Sequence, residues 1–372
     1  MARKLKSDRW IFIAAFFLVC VSVVMVYSAL AGKSLDGEGM PMQLMLRQLT
    51  WALLGFLLMI VAMRIDYRSW QQPGVIGVAL AAVFAGLGLL AAMKLFGLAH
   101  TVKGASRWIG VGGVGVQPSE FAKLAVILFV ADRLSRHMDQ INDLRSVIAP
   151  VTALIGAMAL LILYQPDLGT TVSIALVAGA MLFAGGLSWR YLGAGVGLAA
   201  PILYVLVWNE PYRRARVTAF LDPWADPLNT GFQIIQSLIA VGTGGIMGRG
   251  LMEGLQKLRF LPEPQTDFIY AVISEEFGLI GALLVLICFL VIAWRGFRVA
   301  MLAQDRFGAM LAVGLTAMIA VQALINISVV LGLVPTKGLP LPFVSAGGSS
   351  MLVNLLGLGI LLNVSQHASV EV

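Results

Sequence analysis

Long apolar runs separated by short polar breaks govern what this chain can become. A stretch of roughly 20 apolar residues is what an α-helix needs to cross the hydrocarbon of a bilayer. In that medium every backbone N–H and C=O must be paired within the segment, so such runs are helices. Of the 372 residues 59% are hydrophobic and only 12% are charged, and the mean hydropathy is +0.90. A water-soluble domain of this length carries far more polar surface. The expected fold is all-α, a polytopic integral membrane bundle of about ten transmembrane helices. Run lengths place them near 10–31, 48–63, 75–97, 119–133, 146–164, 168–187, 191–208, 268–293, 308–332 and 346–364. The whole chain, 1–372, then forms one membrane domain, and 209–266 within it is one large extracytoplasmic loop. Loops of that length are usually functional, and 231–241 has the spacing of a short interfacial helix.

Several chemistries are excluded early. The net charge of +7 comes without a basic tract or an aromatic platform, so nucleic acid is not the partner. Cys20 and Cys288 both lie inside apolar runs and form neither a disulfide framework nor a CxxC motif. His100, His137 and His367 lack the spacing of metal ligands, so no protein metal site is expected. Arg3, Lys4, Lys6 and Arg9 precede the first run, and Ala29-Leu30-Ala31 resembles a signal-peptidase site. The run from Trp10 to Tyr27 exceeds a usual signal core, which makes it an uncleaved first span.

An even number of spans puts both termini on one side. The N-terminal arm and the loops on its side carry Arg64, Arg68, Arg133, Arg136, Arg145, Arg190, Arg295, Arg298 and Arg306. The short loops opposite carry only Lys33, Arg47, Lys103, Arg107 and Lys337, with Lys94 near a span end. By the positive-inside rule the termini are cytoplasmic. The long loop falls outside, where its own basic residues weigh little in the rule.

Spans four, six, eight and ten then enter the membrane from outside, each behind a polar motif. Pro118 suits a first helical turn, and Glu120 follows where the helix dipole favours an acid. Lys123 is three residues on, within reach of Glu120. A lone charge at mid-membrane costs roughly 2.5–3.5 kcal/mol, so this pair is expected to face a cavity or the bundle interior. Pro166 and Asp167 repeat the device, and Asp167 reads equally well as a helix-start acid. Thr266 can cap span eight, which would put Asp267 in its first turn at the mouth of the site. Glu275 and Glu276 lie about 12–14 Å further along the helix and read as anchors for the outer loop or neighbouring helices. Arg213, Arg214, Arg216, Lys257 and Arg259 in the loop match phosphate oxygens. Carboxylate and basic cluster together at the water–lipid boundary suit a lipid-linked phosphate substrate.

The same residues resemble a known family. Arg107-Trp108-Ile109-Gly110, Gln117-Pro118-Ser119-Glu120 with Lys123, Gln165-Pro166-Asp167-Leu168-Gly169-Thr170 and Phe220-Leu221-Asp222-Pro223-Trp224 carry the likeness. So do Gln236-Ser237-Leu238-Ile239-Ala240, Leu261-Pro262-Glu263, Thr266-Asp267-Phe268-Ile269, and Pro335-Thr336-Lys337-Gly338 through Gly347-Gly348-Ser349-Ser350. In this order, over nearly the whole chain, they resemble the bacterial SEDS proteins (shape, elongation, division and sporulation). Pro335-Thr336-Lys337-Gly338 and Trp224-Ala225-Asp226-Pro227 look more like the division branch than the elongation branch. Gln265 stands where the family often has His, and Ala346 where it often has Tyr.

The resemblance implies a peptidoglycan glycosyltransferase that polymerises lipid II, a disaccharide-pentapeptide on undecaprenyl pyrophosphate, into β-1,4-linked strands. It implies Asp267 as the general base. Substrate contacts would come from Arg107, Gln117, Glu120, Lys123, Arg213, Arg214, Arg216, Lys257 and Lys337. A divalent cation, Mg2+ or Mn2+, could share the charge on the leaving group, although the chain offers no dedicated site. The implied partners are a class B penicillin-binding protein transpeptidase and other divisome membrane proteins. The implied location is the bacterial cytoplasmic membrane at the division septum. Two further readings stay open: a lipid II flippase, suggested by the intramembrane Glu120–Lys123 pair, and a non-catalytic divisome scaffold.

Overall fold

The structure is a computed structural model that describes residues 7–31, 41–97, 107–111, 114–258 and 260–368. Arg3, Lys4, Lys6, Lys33, His100, Lys103 and Arg259 therefore lie outside the described residues. Twelve α-helices follow one another: α1 (Arg9–Ala31), α2 (Pro41–Arg64), α3 (Pro73–Leu95), α4 (Pro118–His137), α5 (Ala149–Tyr164), α6 (Leu168–Ala184), α7 (Trp189–Trp208), α8 (Pro211–Leu221), α9 (Phe232–Gly244), α10 (Ile269–Leu302), α11 (Arg306–Val330) and α12 (Gly348–His367). Ten of these, all but α8 and α9, match the ten expected spans. Eight are long and apolar enough to cross a membrane on those grounds alone. The other two are α6, with 17 residues, and α4, which carries Glu120, Lys123, Asp132, Arg133 and Arg136. The burial of α4 explains its tolerance of charge: most of its residues, including Glu120 and Lys123, are enclosed.

The bundle is organised around α11 and α12, the two spans most enclosed by their neighbours. Helix α12 lies against α2, and small residues set the distance. A methyl group at Gly359 would fall 2.5 Å from the Met59 carbonyl oxygen. Gly296 of α10 likewise faces the Thr316 hydroxyl of α11, at 2.2 Å for an added methyl group. Close backbone approach through small residues is the usual basis of helix association in lipid. The start of the described chain and the end of α12 meet at one end of the bundle. The Asp8 N–H donates to Ser365 Oγ (3.1 Å), and the Asp8 carboxylate pairs with Arg295 (2.6 Å).

The structure departs from the run-length reading in four places. Span two begins at Pro41 rather than 48, because the mixed stretch before Leu49 continues the helix behind an initial proline. A short antiparallel hairpin, β1 (Ile109–Val111) with β2 (Val114–Val116), precedes α4 with Ile109 opposite Val116. The loop at 209–266 contains α8, which was not expected, besides α9 at the expected short helix; α9 packs one face onto α10 and α11, where the Ser237 hydroxyl donates to the Val330 carbonyl (2.8 Å). Finally, α10 is broken at Gly278, whose φ is 64° and ψ −160°. This glycine is required twice over. Its φ is in the left-handed region, and an added methyl group would lie 2.4 Å from the Gly248 nitrogen.

Irregular backbone near membrane depth must find partners within the protein. Here the loop segment 245–250 supplies them. The N–H groups of Leu279 and Ile280 donate to the carbonyls of Gly245 (2.9 Å) and Ile246 (3.3 Å). In return, Arg249 and Gly250 donate to the carbonyls of Glu275 and Glu276, both at 3.0 Å. Residues 269–277 thus form a separate half-helix ahead of the spanning part of α10.

Candidate active site

The starts of α4, α6, α10 and α12 gather at the end of the bundle opposite the chain termini. The segment between α11 and α12 ties them together. Its Leu339 side chain packs against Gly169 at the start of α6, and its Gly338 lies beside the Asp267 carboxylate, 3.2 Å for an added methyl group. Ser345 Oγ donates to the Thr266 carbonyl (2.5 Å) and accepts from the Leu341 N–H (2.7 Å). The Ala346 N–H donates to the Gln265 carbonyl (2.8 Å). On the other side, the Gln117 N–H donates to Ser349 Oγ (3.0 Å), and the Gln117 amide reaches the Asp167 carboxylate (3.3 Å).

Asp267 faces the Gly338 turn of this segment, but not as the sequence suggested. The half-helix begins at Ile269 with Phe268 as its cap, so Asp267 lies in the preceding turn. Thr266 does not cap the helix; its hydroxyl turns back to the Glu263 carbonyl (3.4 Å). Asp167 is the helix-start acid it resembled. It caps α6 by accepting from the Thr170 N–H (3.1 Å) and hydroxyl (2.9 Å).

Glu120 and Lys123 are buried at 2% and 1% exposure and pair at 2.8 Å. The Lys123 ammonium also donates to Gln322 Oε1 (2.6 Å), and Gln322 Nε2 donates to the Pro340 carbonyl (2.8 Å). One turn along α11, Asn326 Nδ2 donates to the carbonyls of Asp267 (2.9 Å) and Leu339 (2.7 Å). The Glu120–Lys123 pair therefore sits beneath the site, supporting the loop that faces Asp267. Sequence reasoning missed Gln322 and Asn326. Their signal was available: two amides four residues apart, and so on one face, inside an otherwise apolar span.

The basic candidates separate into groups. Arg216 donates to the Thr336 carbonyl (3.2 Å), stacks on the Tyr212 ring (4.5 Å) and bonds the Tyr212 hydroxyl. It thereby joins α8 to the segment that carries Lys337. Burial pushes the Lys337 ammonium below its ordinary value. Arg107 donates to the carbonyls of Gln165 (3.4 Å) and Pro166 and lies 4.0 Å from the Asp167 carboxylate. Arg213 turns away to the Leu206 carbonyl at the end of α7 (3.0 Å), and Arg214 is exposed on α8.

Lys257 corrects the sequence reading. It is 4% exposed and locked in a triad, donating to the Glu276 carboxylate (2.5 Å) and to Ser28 Oγ of α1 (2.8 Å). Ser28 in turn donates to Glu276 (2.6 Å), whose other oxygen accepts from the Met252 N–H (3.1 Å). Glu275 accepts from the N–H groups of Leu255 (2.8 Å) and Gln256 (3.2 Å). These acids anchor the loop to the far end of the half-helix, and Lys257 is consumed in that anchorage because an unpaired Glu276 could not stay buried.

A largely apolar cavity of about 350 Å3 lies between α3, α4, α11 and α12, lined among others by Val83, Gly86, Phe121 and Leu315. Its upper wall includes Val116 and Pro118, on either side of Gln117. On another side of the bundle, α7 is exposed all round from Gly193 to Val205.

Comparison with known proteins gives concordant matches. The family model described as "Cell cycle protein", for FtsW, RodA and SpoVE, matches residues 8–370. A protein of Geobacter metallireducens named "Probable peptidoglycan glycosyltransferase FtsW" is 46% identical over 363 residues, covering 97% of this chain and 95% of that one. The "Stage V sporulation protein E" of Bacillus subtilis is 41% identical, covering 98% and 99%. Among solved structures, a chain from "Structural coordination of polymerization and crosslinking by a peptidoglycan synthase complex" superposes with a TM-score of 0.75 at 29% identity, covering 96% and 97%. The rod shape determining protein RodA of Thermus thermophilus superposes with a TM-score of 0.68 at 25% identity, covering 98% of each chain.

Proposed function

The chain belongs to the FtsW, RodA and SpoVE family of cell cycle proteins, and from that premise we propose how its outer site performs peptidoglycan glycosyl transfer. The protein is a peptidoglycan glycosyltransferase of the membrane. Its donor is lipid II or a growing strand on undecaprenyl pyrophosphate. Asp267 accepts the proton of the acceptor GlcNAc 4-hydroxyl. That oxygen bonds to the anomeric carbon of the donor MurNAc as the bond from that carbon to the pyrophosphate breaks. Undecaprenyl pyrophosphate departs with the electron pair, and an α-linkage becomes β-1,4. One observation carries this reading: Asp267 faces the Gly338 turn, to which Arg216 and Lys337 bring positive charge from two different segments.

A base must reach its proton at hydrogen-bond distance, and guanidinium and ammonium groups offset a departing pyrophosphate. The apolar cavity beside Gln117 accommodates part of the prenyl chain. Among the described residues no three His, Cys, Asp or Glu side chains converge to hold an ion. A divalent cation would therefore draw most of its ligands from pyrophosphate oxygens and water, with one or two protein carboxylates at most. The partner is a crosslinking transpeptidase of the class B penicillin-binding type, the termini face the cytoplasm and the complex works at the septum. The test is polymerisation of labelled lipid II by purified protein with that partner. Translocation of lipid II in vesicles without polymer would overturn the reading in favour of transport.

Lys337 supplies a pH-dependent check. Because burial lowers its pKa, it loses its charge below the usual lysine range as pH rises. The KM for the lipid-linked donor should therefore climb with pH through that lowered value. Lys337→Arg, whose guanidinium stays charged, should flatten the climb. Lys337→Met should raise KM at neutral pH by about 10-fold, the worth of one charge-assisted hydrogen bond.

A further inference from the structure

We infer that Asn326 is a positioning residue for the reaction, holding the backbone of the base and the loop opposite it in one fixed relation. The inference rests on the reading of Asp267 as the base. Asp267 precedes the half-helix, in which the Ala271 N–H donates to the Phe268 carbonyl (3.0 Å). Asn326 reaches the Asp267 carbonyl from α11 at 2.9 Å, and the same amide nitrogen reaches Leu339 at 2.7 Å. Leu339 follows Gly338, the residue beside the Asp267 carboxylate. A single NH2 group thus sets the separation between the acid and the turn that carries Lys337.

The orientation of the amide is fixed by its partners, since only the NH2 end can face two carbonyl oxygens. Asn326 is 1% exposed, and its Oδ1 is buried with no hydrogen-bond partner among the described residues. An orphaned buried acceptor opposes stability. An apolar residue would avoid it, so the NH2 bridge is what favours asparagine here. Gln322, four residues earlier, holds the next carbonyl of the same loop, Pro340. The two amides form a ladder along one face of α11, and Asn326 is the rung that also reaches the base.

The experiment measures lipid II polymerisation by the full-length protein with its partner, for Asn326→Leu and the isosteric Asn326→Asp, which turns an acceptor toward both carbonyls. We expect kcat to fall 10- to 100-fold, as a misplaced reacting group gives. KM for the donor should stay within twofold in both, and the unfolding temperature of Asn326→Leu in detergent within a few degrees; Asn326→Asp, which buries an unpaired acid, is read only on the fraction that remains folded. In an Asp267→Asn background, either change should alter residual turnover less than twofold, because both act through one group. An unchanged kcat in both Asn326 variants overturns the inference. So does a fall that tracks loss of folded protein, or a full additional fall in the Asp267→Asn background. Full activity of Asp267→Asn alone would instead overturn the base, and the positioning role with it.

Discussion

Replacing Asp267 with asparagine should leave a protein that folds, inserts and binds its partner but polymerises lipid II at least about 10^2-fold more slowly, the lower range of what a positioned base contributes. Asparagine has nearly the shape of aspartate, so the contact with Gly338 is kept. The bond from Asn326 goes to the Asp267 backbone carbonyl and does not depend on the side chain. What disappears is the proton acceptor. A neutral amide cannot take the 4-hydroxyl proton, and the two buried carboxylates at the neighbouring helix starts are engaged: Glu120 is sealed in its ion pair, and Asp167 is occupied at the start of α6. Gel analysis of labelled product, with partner co-purification as the folding control, decides the matter. Wild-type polymer from the variant would refute the assignment.

The second large effect belongs to stability. Lys257→Met should destabilise the protein by about 3–5 kcal/mol, the usual result of stranding one partner of a buried ion pair. Glu276 would remain at 1% exposure with only Ser28 and the Met252 N–H to hold its charge. The half-helix would loosen at the end opposite Asp267, and activity would fall with stability. Adding Glu276→Leu should recover most of the loss, because an apolar pair removes the desolvation penalty from both sides. Thermal unfolding of the three variants in detergent checks this. A double variant no more stable than Lys257→Met would mean that the loss does not come from the stranded charge.

Run length made the ten spans legible, and charge bias with polar helix starts pointed to one end of the bundle as the site. The break in α10 was not legible. Gly278 sits between Phe277 and Leu279, so hydropathy passes through it without a dip. Its cause lies some thirty residues earlier, in the loop backbone that pairs with it. Lys257 misled for a related reason. In sequence it is one more basic residue in an outer loop, and its partner Ser28 is on the first helix. The hairpin at 109–116 was hidden because three-residue strands of valine, isoleucine and glycine carry too little alternation to register. Arg216 and Lys337 could not be told from Arg213 and Arg214 by residue type. Only folding reveals that the Thr336 carbonyl receives one and the Leu206 carbonyl another.

Gln265 and Ala346, some eighty residues apart in the chain, meet in the fold. The Ala346 N–H donates to the Gln265 carbonyl, on the turn that leads into Asp267. Because both groups belong to the backbone, the tie does not depend on either side chain. The segment ahead of α12 thus stays fastened to the turn that carries Asp267 whatever residue occupies these two positions, which leaves both side chains free to vary without unmooring the acid.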